Sequence, residues 1–138
     1  MTARILVVED DRGIRDMLGR GLRVAGHQPH FAETAAEAQS AWLPGVFDIV
    51  LLDVMLPDGD GIALLSHRRA AGDRTPVVLL SAREQTELRE RGTAAGATEY
   101  LPKPFAYAEL LACIERVVTE GGQSSSESGS SRGAPTGD

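Results

Sequence analysis

The run Ile49-Val50-Leu51-Leu52 is apolar throughout and is closed by a carboxylate, Asp53. It is too short for a helix of its own and is rich in β-branched residues, so it reads as a strand buried on both faces. That requirement leaves few folds, because a doubly buried strand belongs to a parallel sheet covered by helices. An acid at its last position is pinned by rigid backbone at the mouth of the core, where open parallel sheets place their ligands.

Two further runs repeat the pattern. Arg4-Ile5-Leu6-Val7-Val8 runs into Glu9, Asp10 and Asp11, and Pro76-Val77-Val78-Leu79-Leu80 stops at Ser81-Ala82. Weaker strands are expected around Gln28 to Phe31 and at Glu99-Tyr100-Leu101. Helical spacing fills the gaps. Ile14, Met17, Leu18, Leu22 and Ala25 make an inward face stopped by Gly26, although Gly19 and Gly21 each weaken that helix by about 1 kcal/mol against alanine. Thr34 and Glu37 form a capping box ahead of Ala35, Ala38, Ala41 and Trp42. A loop from Met55 to Gly61, dense in turn formers, leads into a helix that carries Ile62 and Leu65 inward. The segment from Arg83 to Ala95 is helix-compatible but polar, with Leu88 its one large apolar residue, and is expected to pack loosely. A last helix places Tyr107, Leu111, Ile114 and Val118 on one stripe. Five strands alternating with five helices imply a doubly wound α/β sandwich of flavodoxin-like type, with parallel order 2-1-3-4-5. Its switch point lies between the first and third strands.

The chain has 138 residues, enough for one domain with a proper core. Of the last 18 residues, Gly121 to Asp138, 11 are Gly or Ser and none is a large hydrophobe. The expectation is a domain over residues 1–120 and a disordered tail or linker over 121–138. A formal charge of −6 with scattered arginines argues against direct nucleic-acid binding. No apolar stretch approaches a membrane span of roughly 18 residues, and Met1 to Arg4 lead into a strand rather than a signal segment, so a cytoplasmic place is expected. The single cysteine, Cys113, permits neither an internal disulfide nor a thiolate zinc cage and reads as a small core hydrophobe.

At the switch point Glu9, Asp10 and Asp53 would meet, and three carboxylates repel unless a cation offsets them. Hard oxygen ligands with room for water suit Mg²⁺. Ser81 offers a hydroxyl at the next strand end. Of 14 basic residues 13 are arginine, and the one lysine, Lys103, follows the last strand. Its ammonium is a mobile point charge able to reach a phosphoryl oxygen. Carboxylate, cation, hydroxyl and lysine meet the needs of phosphoryl transfer, with Asp53 as the covalent nucleophile.

Val7-Val8-Glu9-Asp10-Asp11, Leu51 to Gly61, Leu80-Ser81-Ala82 and Gly96 to Phe105 together resemble bacterial two-component response-regulator receiver domains, over about residues 4 to 119. The resemblance implies that Asp53 accepts a phosphoryl group from a histidine kinase phosphohistidine. It implies Mg²⁺ held by Glu9, Asp10, Asp53 and the Met55 carbonyl, and phosphoryl oxygens held by Ser81 and Lys103. It also implies a cis Lys103-Pro104 bond and a switch through Ser81 and Tyr100 toward the fourth and fifth helices, with Met55 and Arg83 flanking positions that tune water access. The chain is then a signalling phosphoacceptor and not an enzyme, beyond its own Mg²⁺-dependent phosphotransfer and autodephosphorylation. It is expected to act as a stand-alone receiver or as the N-terminal part of a larger regulator with a downstream effector. A phosphorylation-dependent dimer through Arg89 and Glu109 is compatible with the pattern, although Thr98 and Cys113 replace an aspartate and an arginine usual in receivers attached to winged-helix domains. Two alternatives use the same residues: a pseudo-receiver that only binds protein, and a small hydrolase with an aspartyl nucleophile, which would need a second acid and a substrate cap.

Overall fold

The structure, a computed structural model, describes residues 2–82 and 86–125, with side chains described as far as residue 120. Its elements in chain order are β1 (Arg4–Val8), α1 (Arg12–Val24), β2 (Gln28–Ala32), α2 (Ala35–Ala41), β3 (Ile49–Asp53), β4 (Met55–Leu56), β5 (Gly59–Asp60), α3 (Gly61–Ala70), β6 (Val77–Ser81), α4 (Thr86–Ala95), β7 (Glu99–Pro102) and α5 (Tyr107–Ser125). Five of the strands form one parallel sheet in the order β2-β1-β3-β6-β7. Setting aside the small antiparallel pair β4-β5, this is the expected 2-1-3-4-5 arrangement.

The alternation of side chains along each strand divides the core into two layers. Leu6, Val8, Val50, Leu52, Val77 and Leu79 face one side, where Ala38, Trp42, Ile62 and Leu65 cover them. Ile5, Val7, Ile49, Leu51, Val78 and Leu80 face the other, under Leu18, Leu22, Leu110, Cys113 and Ile114. All five residues of β3 and all five of β6 are buried, as continuous apolar runs require. Edge strand β2 is more exposed. The N–H of Gln28 donates to Ala3 and the carbonyl of Ala32 accepts from Glu9. By the alternation of a parallel ladder, Gln28, His30 and Ala32 therefore bond inward, leaving Pro29 and Phe31 on the open flank.

Several expectations change in detail. The loop from Met55 to Gly61 closes into the hairpin β4-β5, with Met55 opposite Asp60 and Leu56 opposite Gly59. Met17 is 41% exposed rather than inward, because Leu18 and Leu22 lie nearer the centre of the buried face. In α5 the buried stripe is Leu110, Cys113, Ile114 and Val117, about one position round from the expected one; Tyr107, Leu111 and Val118 are half-buried at its margin. Gly19 and Gly21 have packing reasons that helix propensity cannot show. A Cβ on Gly21 would fall 2.5 Å from the Tyr107 ring, and one on Gly19 would fall 3.2 Å from the Phe31 ring. Cys113 is buried, as expected. Helix α5 continues through Ser125, past the compositional boundary at residue 121, while the expected tail from residue 126 lies outside the described residues. Among the described residues, no helix is long and apolar enough to cross a membrane.

Candidate functional site

The carboxyl ends of β1 and β3 bring Glu9, Asp10 and Asp53 together. Each offers one carboxylate oxygen, and these oxygens lie within 4.8 Å of one another. Glu9 and Asp53 are buried and Asp10 is exposed, so the cluster opens to solvent on one side. Asp11, the fourth acid in this neighbourhood, has a separate task. Its carboxylate accepts the Ile14 N–H at 3.0 Å and caps α1, while its own N–H donates to Glu9 Oε2 at 3.1 Å.

The lysine arrives from the far edge of the sheet. Lys103 Nζ donates to Glu9 Oε1 at 2.5 Å and to Asp53 Oδ2 at 3.1 Å. Its backbone is fixed from the neighbouring strand. Pro102, which pairs with Ser81, has no N–H, and the Lys103 N–H instead donates to the Ser81 carbonyl at 2.6 Å. Ser81 is buried at the end of β6, one residue beyond Leu80, the register partner of Asp53. The expected cis Lys103-Pro104 bond is present.

Burial and neighbouring charge together account for the shifted acidities. Burial pushes the Glu9 carboxyl above its ordinary value; the bonds from Lys103 and from the Asp11 N–H oppose this, and the Asp53 charge adds to it. Burial alone pulls the Lys103 ammonium down, but its bond to Glu9 and the nearby charges of Asp53 and Glu9 more than offset that, so it lies above its ordinary value. Three carboxylates against one ammonium leave a formal charge of −2 at the mouth of the sheet (−3 + 1). A donor set of hard oxygens, one of them exposed, fits a small divalent cation that keeps part of its water.

The loop after β3 is held on both sides. Asp53 Oδ1 accepts the Met55 N–H at 3.2 Å, and the Met55 side chain is 61% exposed. Asp58 accepts from the N–H groups of Ala35 and Ala36 at 2.7 and 3.1 Å, so the hairpin tip is tied to the start of α2. Asp60 caps α3 through the Ile62 N–H at 2.8 Å and pairs with Arg91 of α4 at 2.9 Å. Tyr100 is half-buried in β7 against the layer that includes Leu79, with the Arg89 guanidinium 4.8 Å from its ring centre. It lies on the α4 side of the sheet. Arg83 is outside the described residues.

Several supporting residues were not singled out by sequence reasoning. Arg15 Nη1 donates to the carbonyls of Glu9 and Asp10 at 3.0 and 2.7 Å. A Cβ on Gly61 would overlap the Asp53 carbonyl. The dense turn chemistry of the Met55 to Gly61 segment signalled a tight loop there, but no local pattern reveals which backbone it touches. Beside the site, Ile14, Met17, Ala82, Lys103, Pro104 and Phe105 line a mostly apolar cavity of about 380 Å³.

The family model described as "Response regulator receiver domain" matches residues 5–115. The response regulator MprA of Mycobacterium sp. (strain KMS) is 44% identical over 112 residues, which is 81% of this chain and 49% of that protein. The chain thus spans about half the length of the curated relatives it matches. Among solved structures, the non-phosphorylated HemR receiver domain from Leptospira biflexa superposes with a TM-score of 0.78 at 38% identity, covering 84% of this chain and 94% of that one. A CheY-like receiver domain protein from Methanospirillum hungatei superposes with a TM-score of 0.83 at 28% identity, covering 89% and 98%.

Proposed function

Since the chain belongs to the response regulator receiver domain family, a component of two-component signalling, we propose that Asp53 is its phosphoacceptor. The observation that carries this reading is the convergence of Glu9, Asp10, Asp53 and the Lys103 ammonium at one solvent-open mouth. An Asp53 carboxylate oxygen attacks the phosphorus of a kinase phosphohistidine. The new P–O bond forms as the P–N bond breaks, and the imidazole nitrogen keeps the bonding pair. Later attack by water on the acyl phosphate releases phosphate and restores the carboxylate.

Glu9, Asp10, Asp53 and the Met55 carbonyl would hold Mg²⁺, which supplies positive charge for the phosphoryl oxygens. Lys103 already lies within hydrogen-bond reach of Asp53 and is held in its charged form, so it is placed to take a phosphoryl oxygen. Ser81 supplies a hydroxyl from the adjoining strand. Ser81 and Tyr100 then bias α4, β7 and α5, the surface through which a downstream effector, in this chain or another, reads the state in the cytoplasm. Helix α4 suits a movable element, since Gly92 is its only buried residue among those described.

A dimer through this face would have to reorganise it. Arg89 stacks on Tyr100, Glu109 accepts from the Ala106 N–H at 2.9 Å, and Arg116 forks onto Glu99 at 2.9 and 3.0 Å, all within one chain. Arg89 and Glu109, the residues expected to pair across such a dimer, thus already have partners within the chain. Incubation with a small phosphodonor and Mg²⁺ should add one phosphoryl group by intact mass to wild type and none to Asp53→Asn. Equal labelling of the two proteins would remove Asp53 from the role.

A further inference from the structure

Arg15 lies one turn into α1, and its guanidinium reaches back under the β1–α1 loop. Nη1 donates to two successive carbonyls, those of Glu9 at 3.0 Å and Asp10 at 2.7 Å, while Nη2 lies 3.7 Å from Glu33 Oε2. The side chain is only 15% exposed, so this is a held contact rather than a surface arginine passing by. The two carbonyls belong to the residues whose carboxylates converge with Asp53.

We propose that Arg15 is a positioning residue for the divalent-cation site, acting on the loop backbone and not on the ion. This rests on the cation reading above. Tying both carbonyls to α1 fixes the peptide planes from which the Glu9 and Asp10 side chains spring. A small hard cation tolerates little error in ligand placement, and a ligand loop that must be ordered on binding weakens affinity. Arginine suits the task because the two N–H groups of Nη1 can serve both carbonyls while the charge of Glu33 faces Nη2 at the other end. Residues that orient ligands in this way usually change metal affinity 10- to 100-fold, roughly, when lost.

The sign of the effect separates positioning from charge. Arg15 is a cation near a cation site, so by Coulomb's law alone its removal would strengthen Mg²⁺ binding. Positioning gives the opposite result.

The experiment is calorimetric titration of the unphosphorylated chain with Mg²⁺, alongside amide spectra of the metal-free protein. Arg15→Ala is expected to weaken Mg²⁺ on the order of tenfold. In the metal-free protein it should shift the amides of Glu9, Asp10 and Asp11 more than those at the end of β3. Arg12→Ala, whose guanidinium faces Asp16 at 3.9 Å on the same helix, should leave the affinity unchanged. Equal or tighter binding by Arg15→Ala, or an equal loss in Arg12→Ala, overturns the proposal. Should Arg15→Ala fail to fold, Arg15→Met, which keeps most of the aliphatic stem, reads the same affinity with the same two outcomes. Absence of Mg²⁺ binding by wild type would overturn the cation reading itself, whereas wild-type binding that survives loss of Arg15 overturns the positioning role alone.

Discussion

A Cβ on Gly61 would overlap the carbonyl oxygen of Asp53, and the Gly61 N–H already donates to Val54 at 2.7 Å. No flexible side chain can yield there, because the obstructing atoms are backbone. Gly61→Ala should therefore displace the proposed phosphoacceptor, costing on the order of 2 kcal/mol in urea unfolding and slowing phosphodonor labelling of Asp53. Cys113 gives a second test at this scale. Burial, with help from the charge of Glu99, pushes its thiol up to about 11, so almost no thiolate exists near neutrality. Iodoacetamide at pH 8 should leave the native chain unmodified and label it once urea unfolds it; prompt native labelling would contradict the burial. These two residues also show what sequence can carry. Cys113 was readable as a core hydrophobe because a lone cysteine usually packs as one, although the helical stripe read for α5 left it out; the reason for Gly61 lies in a backbone atom across a turn, which no periodicity encodes.

Helix α2 depends on a neighbour that is distant in sequence. Thr34 caps it through the Glu37 N–H at 3.0 Å, as the capping-box spacing predicts, but Asp58 adds bonds to the Ala35 and Ala36 N–H groups from 23 and 22 residues away. Those two bonds hold the Asp58 carboxyl below its ordinary value of 3.8. A folded value below the unfolded one means a stabilisation present above pH 3.8 and lost as pH falls through the folded value. Asp58→Asn should remove that part of the acid limb in a pH series of unfolding midpoints, and an unchanged limb would show that the bonds contribute nothing in solution. The strands, by contrast, were legible almost to the residue, because β1, β3 and β6 are continuous apolar runs with sharp polar ends. The hairpin was not, since strands of two residues leave no alternation to read.

At the scale of the whole molecule, the acid cluster sets stability against readiness. Three carboxylates converge while the one lysine bonds only Glu9 and Asp53, and burial already disfavours the charged form of Glu9. A divalent cation bound there should stabilise the fold by mass action, about 2.7 kcal/mol at a concentration 100 times the dissociation constant. The thermal midpoint should accordingly rise with Mg²⁺ in wild type and respond weakly in Asp10→Asn, as a calorimetric scan would show. That Glu9, Asp10 and Asp53 would meet was legible because the switch point of a doubly wound sheet gathers strand ends by topology, with Ser81 and Lys103 at the ends of the next two strands. What holds them was not, since the bond from Arg15 to the loop carbonyls and that from Lys103 to the Ser81 carbonyl join side chains and backbones whose meeting depends on the folded path. Pro29, on the open flank of β2, acts at this scale too. It leaves an incoming chain without a donor at an outward position, which makes that side of the sheet a poor seed for cross-strand growth. Crowding in the cell should thus find this flank resistant to amyloid-like stacking, the outward position at Pro29 offering an incoming strand nothing to accept.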